Sequence, residues 1–415
     1  MLGEPDTEIR RTLDQLFRRE AGRLVASLTR KLGAHNLALA EDTAQDALLA
    51  ASRTWPYDGM PENPAAWLHS VAFRKAIDLL RRHSVARNAI PALEAEQTNP
   101  QQPSPGISDS ELRLLFLCCH PAMLARDRLA LTLNIAFGFS AREIARLFHI
   151  GPAAMSARLM RCKECIRGQR LSFDMPMGAD LAPRVAAVQK VIYLAFSLGY
   201  SPGPGALAVR TDIALEALRL AESLCNIRAI SSADAHALAA LLCFQASRLT
   251  SRTGAGDTFI PLTVQNRELW DQNLIMKGFH HLKKAQTTPE LNRYHLEAGI
   301  AALHATARSS AETDWRQISL YYEQLWCMTR APIVALNHAI AIAMAGDNES
   351  ALEKLDSLSA SPELRGDGHF HTARAEILHR LGRLDEAHAA FKKARFTGGS
   401  DPDMKYLDMR LSSFS

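Results

Sequence analysis

Apolar residues in this 415-residue chain recur at three- and four-residue spacings, and from residue 181 to 398 no run keeps the two-residue period of a strand. The pattern predicts an all-α protein. Its sharpest stretch is Gly138 to Arg170. Ser140 with Glu143 has the form of a capping box, the hydroxyl accepting from the Glu143 amide and the carboxylate from the Ser140 amide, so a helix starts there. Ile144, Leu147 and Phe148 follow on one face, and Ala145 is small enough to admit a second helix. His149-Ile150-Gly151 reads as the turn, and Pro152 suits the first position of the next helix. Met155, Leu159, Cys162 and Ile166 then draw one buried stripe. The outward face carries Ala153, Ser156, Ala157, Met160 and Arg161, flanked by Arg158, Lys163, Arg167 and Arg170. Two short helices with such a face predict a DNA-reading helix-turn-helix, with a plain αα-hairpin as the alternative.

A second helix is expected after Asn63-Pro64. Leu68, Ala72, Phe73, Ala76, Ile77, Leu79 and Leu80 fall on its buried side, leaving Trp67, Val71, Arg74, Lys75, Asp78, Arg81 and Arg82 opposite. A tryptophan in line with cations suits single-stranded or melting nucleic acid, where bases stack on aromatic rings and the backbone follows positive charge. The alternative has Trp67 packed on a neighbouring helix. The preceding helix presents Glu41, Asp42, Gln45 and Asp46, an acidic, amide-bearing edge suited to a protein partner.

Glycine and proline divide the rest. Gln97 to Gly106 is polar, proline-rich and without apolar period, the composition of a linker. The resulting boundaries are a first helical domain over 1–90, a flexible linker over 91–107, the helix-turn-helix domain over 108–172, and a helical domain over 180–415. Stretched from Arg82 to Ser108, the connection reaches at most roughly 80 Å, enough for two modules to engage DNA sites about two helical turns apart at ~34 Å each. Near the C-terminus Ala343 to Leu352 aligns with Leu378 to His388, with Gly346 and Gly382 offset by 36 residues. That offset is close to the tetratricopeptide period of about 34 residues, with an ordinary alanine-rich bundle as the alternative.

Charge and cysteines narrow the function classes. The net charge is +4, with 23 Lys/Arg against 18 Asp/Glu up to residue 170 and near balance beyond, so a phosphate-bearing partner belongs to the N-terminal part. The seven cysteines are odd in number and scattered, which argues for reduced thiols. Cys162-Lys163-Glu164-Cys165 has redox or metal spacing but lies inside a helix, where Cys162 already has a packing role. No apolar run approaches the ~18 residues of a membrane span, and the opening Met1-Leu2-Gly3-Glu4-Pro5-Asp6 lacks a signal-peptide order, so a cytoplasmic location is expected.

The order of these parts resembles sigma-70 family initiation factors of the extracytoplasmic-function type. Ala40 to Leu48 looks like the segment that docks on RNA polymerase, Pro64 to Arg82 is similar to the segment that recognises and opens the −10 element, and the helix-turn-helix corresponds to the region that reads the −35 element. The resemblance implies polymerase binding by Glu41, Asp42, Gln45 and Asp46. It implies −10 recognition by Trp67, Arg74, Lys75, Arg81 and Arg82, and −35 recognition by Ser156, Ala157, Arg158, Met160, Arg161 and Lys163. Leu117 to Pro121, Tyr193 to Tyr200, Gln265 to Asp271, Thr313 to Trp315 and Ala335 to Asn337 look like the subgroup with a long tetratricopeptide-like extension. In that subgroup the extension is implied to regulate by contacting the sigma modules or another protein, with Gly199, Tyr200, Trp270 and Asn337 at the interface. The chain departs from the subgroup at Ser197-Leu198, where Asn-Glu is usual, and at Glu323-Gln324, where Asp-Glu is common. Ser156 and Ala157 replace a frequent basic residue and serine, so those positions offer no bidentate guanine contact.

The implied partners are core RNA polymerase and promoter DNA, with no membrane, small-molecule substrate, cofactor or metal and no catalytic residue. Three rivals stand beside this reading. They are a helix-turn-helix regulator with a helical-repeat sensor, a thiol enzyme built on Cys162 and Cys165, and a scaffold in the C-terminal half unrelated to initiation.

Overall fold

A computed structural model describes residues 20–83, 109–148, 150–200, 211–252, 260–287, 290–397 and 401–414. These residues are overwhelmingly helical, with no strand among them, and the fold is all-α as the apolar spacing requires. The linker expected over 91–107 lies outside the described residues, as does the whole segment before Glu20. Packing divides the chain into two compact units that meet in sequence at Phe196 and Ser197.

The first unit begins with helix α1 (residues 20–32), followed by α2 (Leu37–Asp58) and α3 (Pro64–His83). Gly59, at φ +83°, ends α2 in a conformation that a side chain would strain. Asn63 then caps α3 by accepting the Ala66 amide at 3.0 Å. Leu24, Leu28, Ala40, Ala44, Leu68 and Phe73 form the core between these helices, each 2% exposed or less. Helices α4 (Asp109–Cys118) and α5 (Ala125–Ile135) lead into α6 (Ala141–Leu147) and α7 (Pro152–Gly168). The capping box at Ser140 is present in both directions, Glu143 N to Ser140 Oγ at 3.3 Å and Ser140 N to Glu143 Oε2 at 2.9 Å. Pro152 occupies the first turn of α7 behind Gly151. Because the cap starts the reading pair, Ser140→Ala is expected to cost about 1 kcal/mol of stability, visible as a lower urea midpoint with no change in the helical fold.

Helix α8 (Leu181–Tyr200) carries the chain from one unit to the next. Contrary to the expectation from the sequence, Gly178–Tyr200 is long and apolar enough to cross a membrane by length and composition, with a mean hydropathy of 1.3. Packing accounts for that character. Val188, Val191, Ile192, Ala195 and Phe196 are all buried, and Arg184 donates to the Phe116 carbonyl at 2.6 Å.

The second unit contains α9 (Thr211–Cys225), α10 (Ala233–Ala246), α11 (Gln272–Ala285), α12 (Arg293–Thr306), α13 (Trp315–Thr329), α14 (Pro332–Met344) and α15 (Asn348–Leu358), then the short α16 (Pro362–Arg365), α17 (Gly368–Arg380), α18 (Leu384–Thr397) and α19 (Asp401–Ser412). The α14–α15 and α17–α18 pairs share one turn. Gly346 and Gly382 both have positive φ, +105° and +75°. Asp347 N donates to Ile342 O at 3.2 Å, and Arg383 N to Leu378 O at 3.0 Å, the six-to-one bond that closes a helix behind a left-handed residue. The seams match as well, with Ala339 beside Ala375 and Ala351 beside Ala387 in the alignment, all at 0% exposure.

Candidate functional site

Helix α7 turns its two long faces to different tasks. Met155, Leu159, Cys162 and Ile166 are buried in the stripe that their spacing implied. Ser156, Met160 and Arg161 are exposed and Ala157 is half-buried, so the outward face of α7 is not covered by its own helix pair. Arg158 is committed differently. Its Nε lies 3.5 Å from Asp127 and its guanidinium stands over the Phe148 ring, which ties α7 to α5 and to the turn. Burial, with Asp127 nearby, pushes the Cys162 thiol up to about 11. A thiol that resists ionisation is a poor nucleophile or redox group, and Cys162 is a packing residue.

Trp67 does not project freely from α3. It is half-buried, with its ring edge-on to Trp55 of α2 at a centroid distance of 5.4 Å. Arg74 and Arg81 are exposed, whereas Lys75 is half-buried and pairs with Asp46 at 3.2 Å. Arg82 lies on α3, but its side chain is outside the described residues. On α2, Asp42, Gln45 and Asp46 are exposed, and Glu41 is 6% exposed.

The burial of Glu41 comes from the helix-turn-helix. Lys163 of α7 donates to Glu41 Oε2, and Gln45 Nε2 donates to Glu41 Oε1 at 3.1 Å, so both carboxylate oxygens are engaged. A cleft of about 600 Å³ lies alongside, lined by His35, Gln45, Ser140, Ser156, Met160 and Arg167 among others. Two further contacts fasten the same halves. Arg23 of α1 faces Glu111 of α4 at 3.6 Å with both side chains 9% exposed. Gly22 lies so close to the end of α5 that a Cβ there would stand 2.4 Å from the Ala136 carbonyl oxygen. Glu41 and Gln45 of α2 and Ser156, Met160 and Lys163 of α7 therefore line one cleft.

Spacing gave the angular position of Glu41 and Lys163 on their helices but not what stood opposite. Gly22, Arg23 and Glu111 were missed outright. The one sequence signal was Gly22 itself, since a glycine inside a helical pattern often marks a close approach.

In the second unit Gly199 is buried, and Trp270 is 3% exposed beneath the Arg267 guanidinium. Tyr200 is half-buried, with Arg252 3.7 Å from its ring centroid and Arg248 donating to its hydroxyl. Asn337 is half-buried on α14. Tyr200 and Trp270 pack against arginines of their own unit. Arg267 binds three acceptors, the His304 and Ala307 carbonyls at 2.8 and 2.9 Å and Thr313 Oγ1 at 3.0 Å, and so ties the end of α12 to the segment before α13.

Comparison with known proteins places two segments. Residues 16–85 match Sigma-70 region 2, and residues 184–286 match a family of unknown function, DUF6596. The chain is 35% identical over 401 residues to the uncharacterized protein R00370 of Rhizobium meliloti (strain 1021), covering 94% of each. No solved structure matches it.

Proposed function

The chain belongs to the same family as the Rhizobium meliloti protein and is an RNA polymerase sigma factor of the sigma-70 family, and from that premise we propose an extracytoplasmic-function type with a tetratricopeptide-like regulatory extension. The observation that carries this reading is the exposed face of Ser156, Met160 and Arg161 on a capped helix-turn-helix, following a Sigma-70 region 2 in one chain. In this reading Asp42, Gln45 and Asp46, with Glu41 once released, hold core polymerase. Arg74 and Arg81 follow the DNA backbone at the −10 element. Met160 and Arg161 meet the edges of bases at the −35 element, with Ser156 and Ala157 letting the helix approach. Cations supply salt-dependent affinity and base contacts supply specificity.

The closed arrangement of the first unit is then a resting form. Glu41 and Gln45 of α2 and Ser156 and Met160 of α7 line the shared cleft, so full engagement of polymerase and promoter requires α1–α3 to part from α4–α7. The extension over 180–415 acts on that equilibrium by contacting the sigma modules or a further protein. A helix-turn-helix regulator with a repeat sensor gives the acidic edge of α2 no use.

Charge removal tests the assignment. Arg74→Ala with Arg81→Ala is expected to lower the slope of log affinity against log salt for promoter DNA by about 1.5, at roughly 0.7 to 0.9 per lost phosphate contact, with core binding unchanged. Loss of core binding in that variant, or an unaltered salt slope, contradicts the role given to α3.

A further inference from the structure

Three ligating side chains converge inside the second unit, none of them among the residues assigned above. Cys225 is the last residue of α9, His236 lies near the start of α10, and His281 lies in the third turn of α11. The Cys225 sulfur and one nitrogen of each imidazole all lie within 4.8 Å of one another. His236 Nδ1 faces His281 Nδ1 at 2.9 Å. Cys225 and His236 are buried, while His281 is half-buried and leaves an approach from solvent.

We infer that Cys225, His236 and His281 form a binding site for a divalent transition-metal ion of zinc type, with a fourth position left open. One thiolate and two imidazoles are a donor set that suits zinc, and three protein ligands with one free position describe an open site. Bonds of about 2.3 Å to sulfur and 2.0–2.1 Å to nitrogen set neighbouring tetrahedral ligand atoms roughly 3.3–3.6 Å apart. The nitrogens must therefore open from 2.9 Å by a few tenths of an ångström, and the sulfur must close by about 1.2 Å at most.

The surroundings favour that adjustment. Ser231 Oγ stands 3.4 Å from His236 Nε2, which orients the ring with Nδ1 toward the other ligands. Gly278, one turn before His281, lies against the Phe244 ring of α10, where a Cβ would come within 2.7 Å. That close approach holds α10 and α11 at the spacing that the two imidazoles need.

Metal binding forms the sulfur–metal bond and breaks the sulfur–hydrogen bond, releasing one proton to solvent. The thiolate so formed supplies the negative charge that holds a dication beside Lys284. Glu222 is already engaged by Lys277 at 3.1 Å.

All three ligands fall within residues 184–286, so an ion would staple α9, α10 and α11 of the segment whose family has no known function. The inference reverses the expectation of no metal and does not depend on the chain being a sigma factor. Titrating chelator-treated full-length protein with cobalt(II) tests it without polymerase. One equivalent is expected to bind with a thiolate-to-cobalt charge-transfer band, and zinc(II) is expected to displace it. Cys225→Ser is expected to lose the band, His281→Gln to weaken binding by about tenfold or more, and Cys165→Ser to change nothing. His281 is half-exposed, so its variant keeps the test decisive if Cys225→Ser fails to fold. Absence of the band, or an equal band and affinity in His281→Gln, overturns the inference.

Discussion

Gly22→Leu is expected to raise the affinity of the full chain for core RNA polymerase by about tenfold or more. No Cβ fits at Gly22 without displacing the Ala136 backbone, because the contact would fall at 2.4 Å. Overpacking of this kind costs roughly 1–3 kcal/mol. The clash lies between α1 and the end of α5, so the cost falls on the closed arrangement and not on either half alone. Each 1.4 kcal/mol shifts a two-state equilibrium about tenfold. Opening releases Glu41 from Lys163 and exposes the docking edge of α2, and apparent affinity rises with the fraction of competent molecules. Titration of labelled protein with core enzyme measures the change. Hydrogen exchange at the start of α2 should quicken in parallel. Unchanged affinity in the wedged variant means that the cleft does not limit docking.

Arg267→Ala is expected to destabilise the second unit by about 3 kcal/mol. Arg267 is 9% exposed, and burial lowers its pKa with Glu312 acting the other way, while its hydrogen bonds go to uncharged acceptors. Its stability comes from two helix-terminal carbonyls and a threonine hydroxyl. Removing it leaves those acceptors buried without their donor, and a hydrogen bond to a charged group contributes about 1.5–3 kcal/mol. The helix end at His304 and the Trp270 ring beneath the guanidinium lose their tether together. Amide exchange in α12 and around Trp270 should accelerate roughly a hundredfold, following about 1.4 kcal/mol per decade, while α1–α7 remain protected. Equal protection in both proteins would show that the arginine is only filling space.

Local chemistry was legible in the sequence wherever one segment settled it. The Ser140–Glu143 cap, the Gly151-Pro152 turn and the Met155–Ile166 stripe all stand as their spacing implied, since each depends on residues within one or two turns. The register of Gly346 with Gly382 was readable from the alignment, while their left-handed turns came from the structure. Trp67 was not legible, because its surroundings depend on Trp55, a residue of another helix. Arg158 and Lys163 show the same limit. Periodicity places each on a flank of α7, but only packing sets Asp127 beside one and Glu41 beside the other. The subgroup resemblance pointed to Tyr200 and Trp270 as interface residues, and their aromatic character serves cation stacking inside their own unit. The Cys225, His236 and His281 cluster has no ligand-like spacing at all, and three helices must pack before it exists.

The most direct measurement is transcription from purified parts, with core RNA polymerase, genomic DNA and the full chain, mapping every transcript start. The account expects discrete starts that depend on the protein and share one pair of upstream elements, with Arg161→Ala altering the outer element alone. Starts no different from those of core enzyme by itself would contradict it.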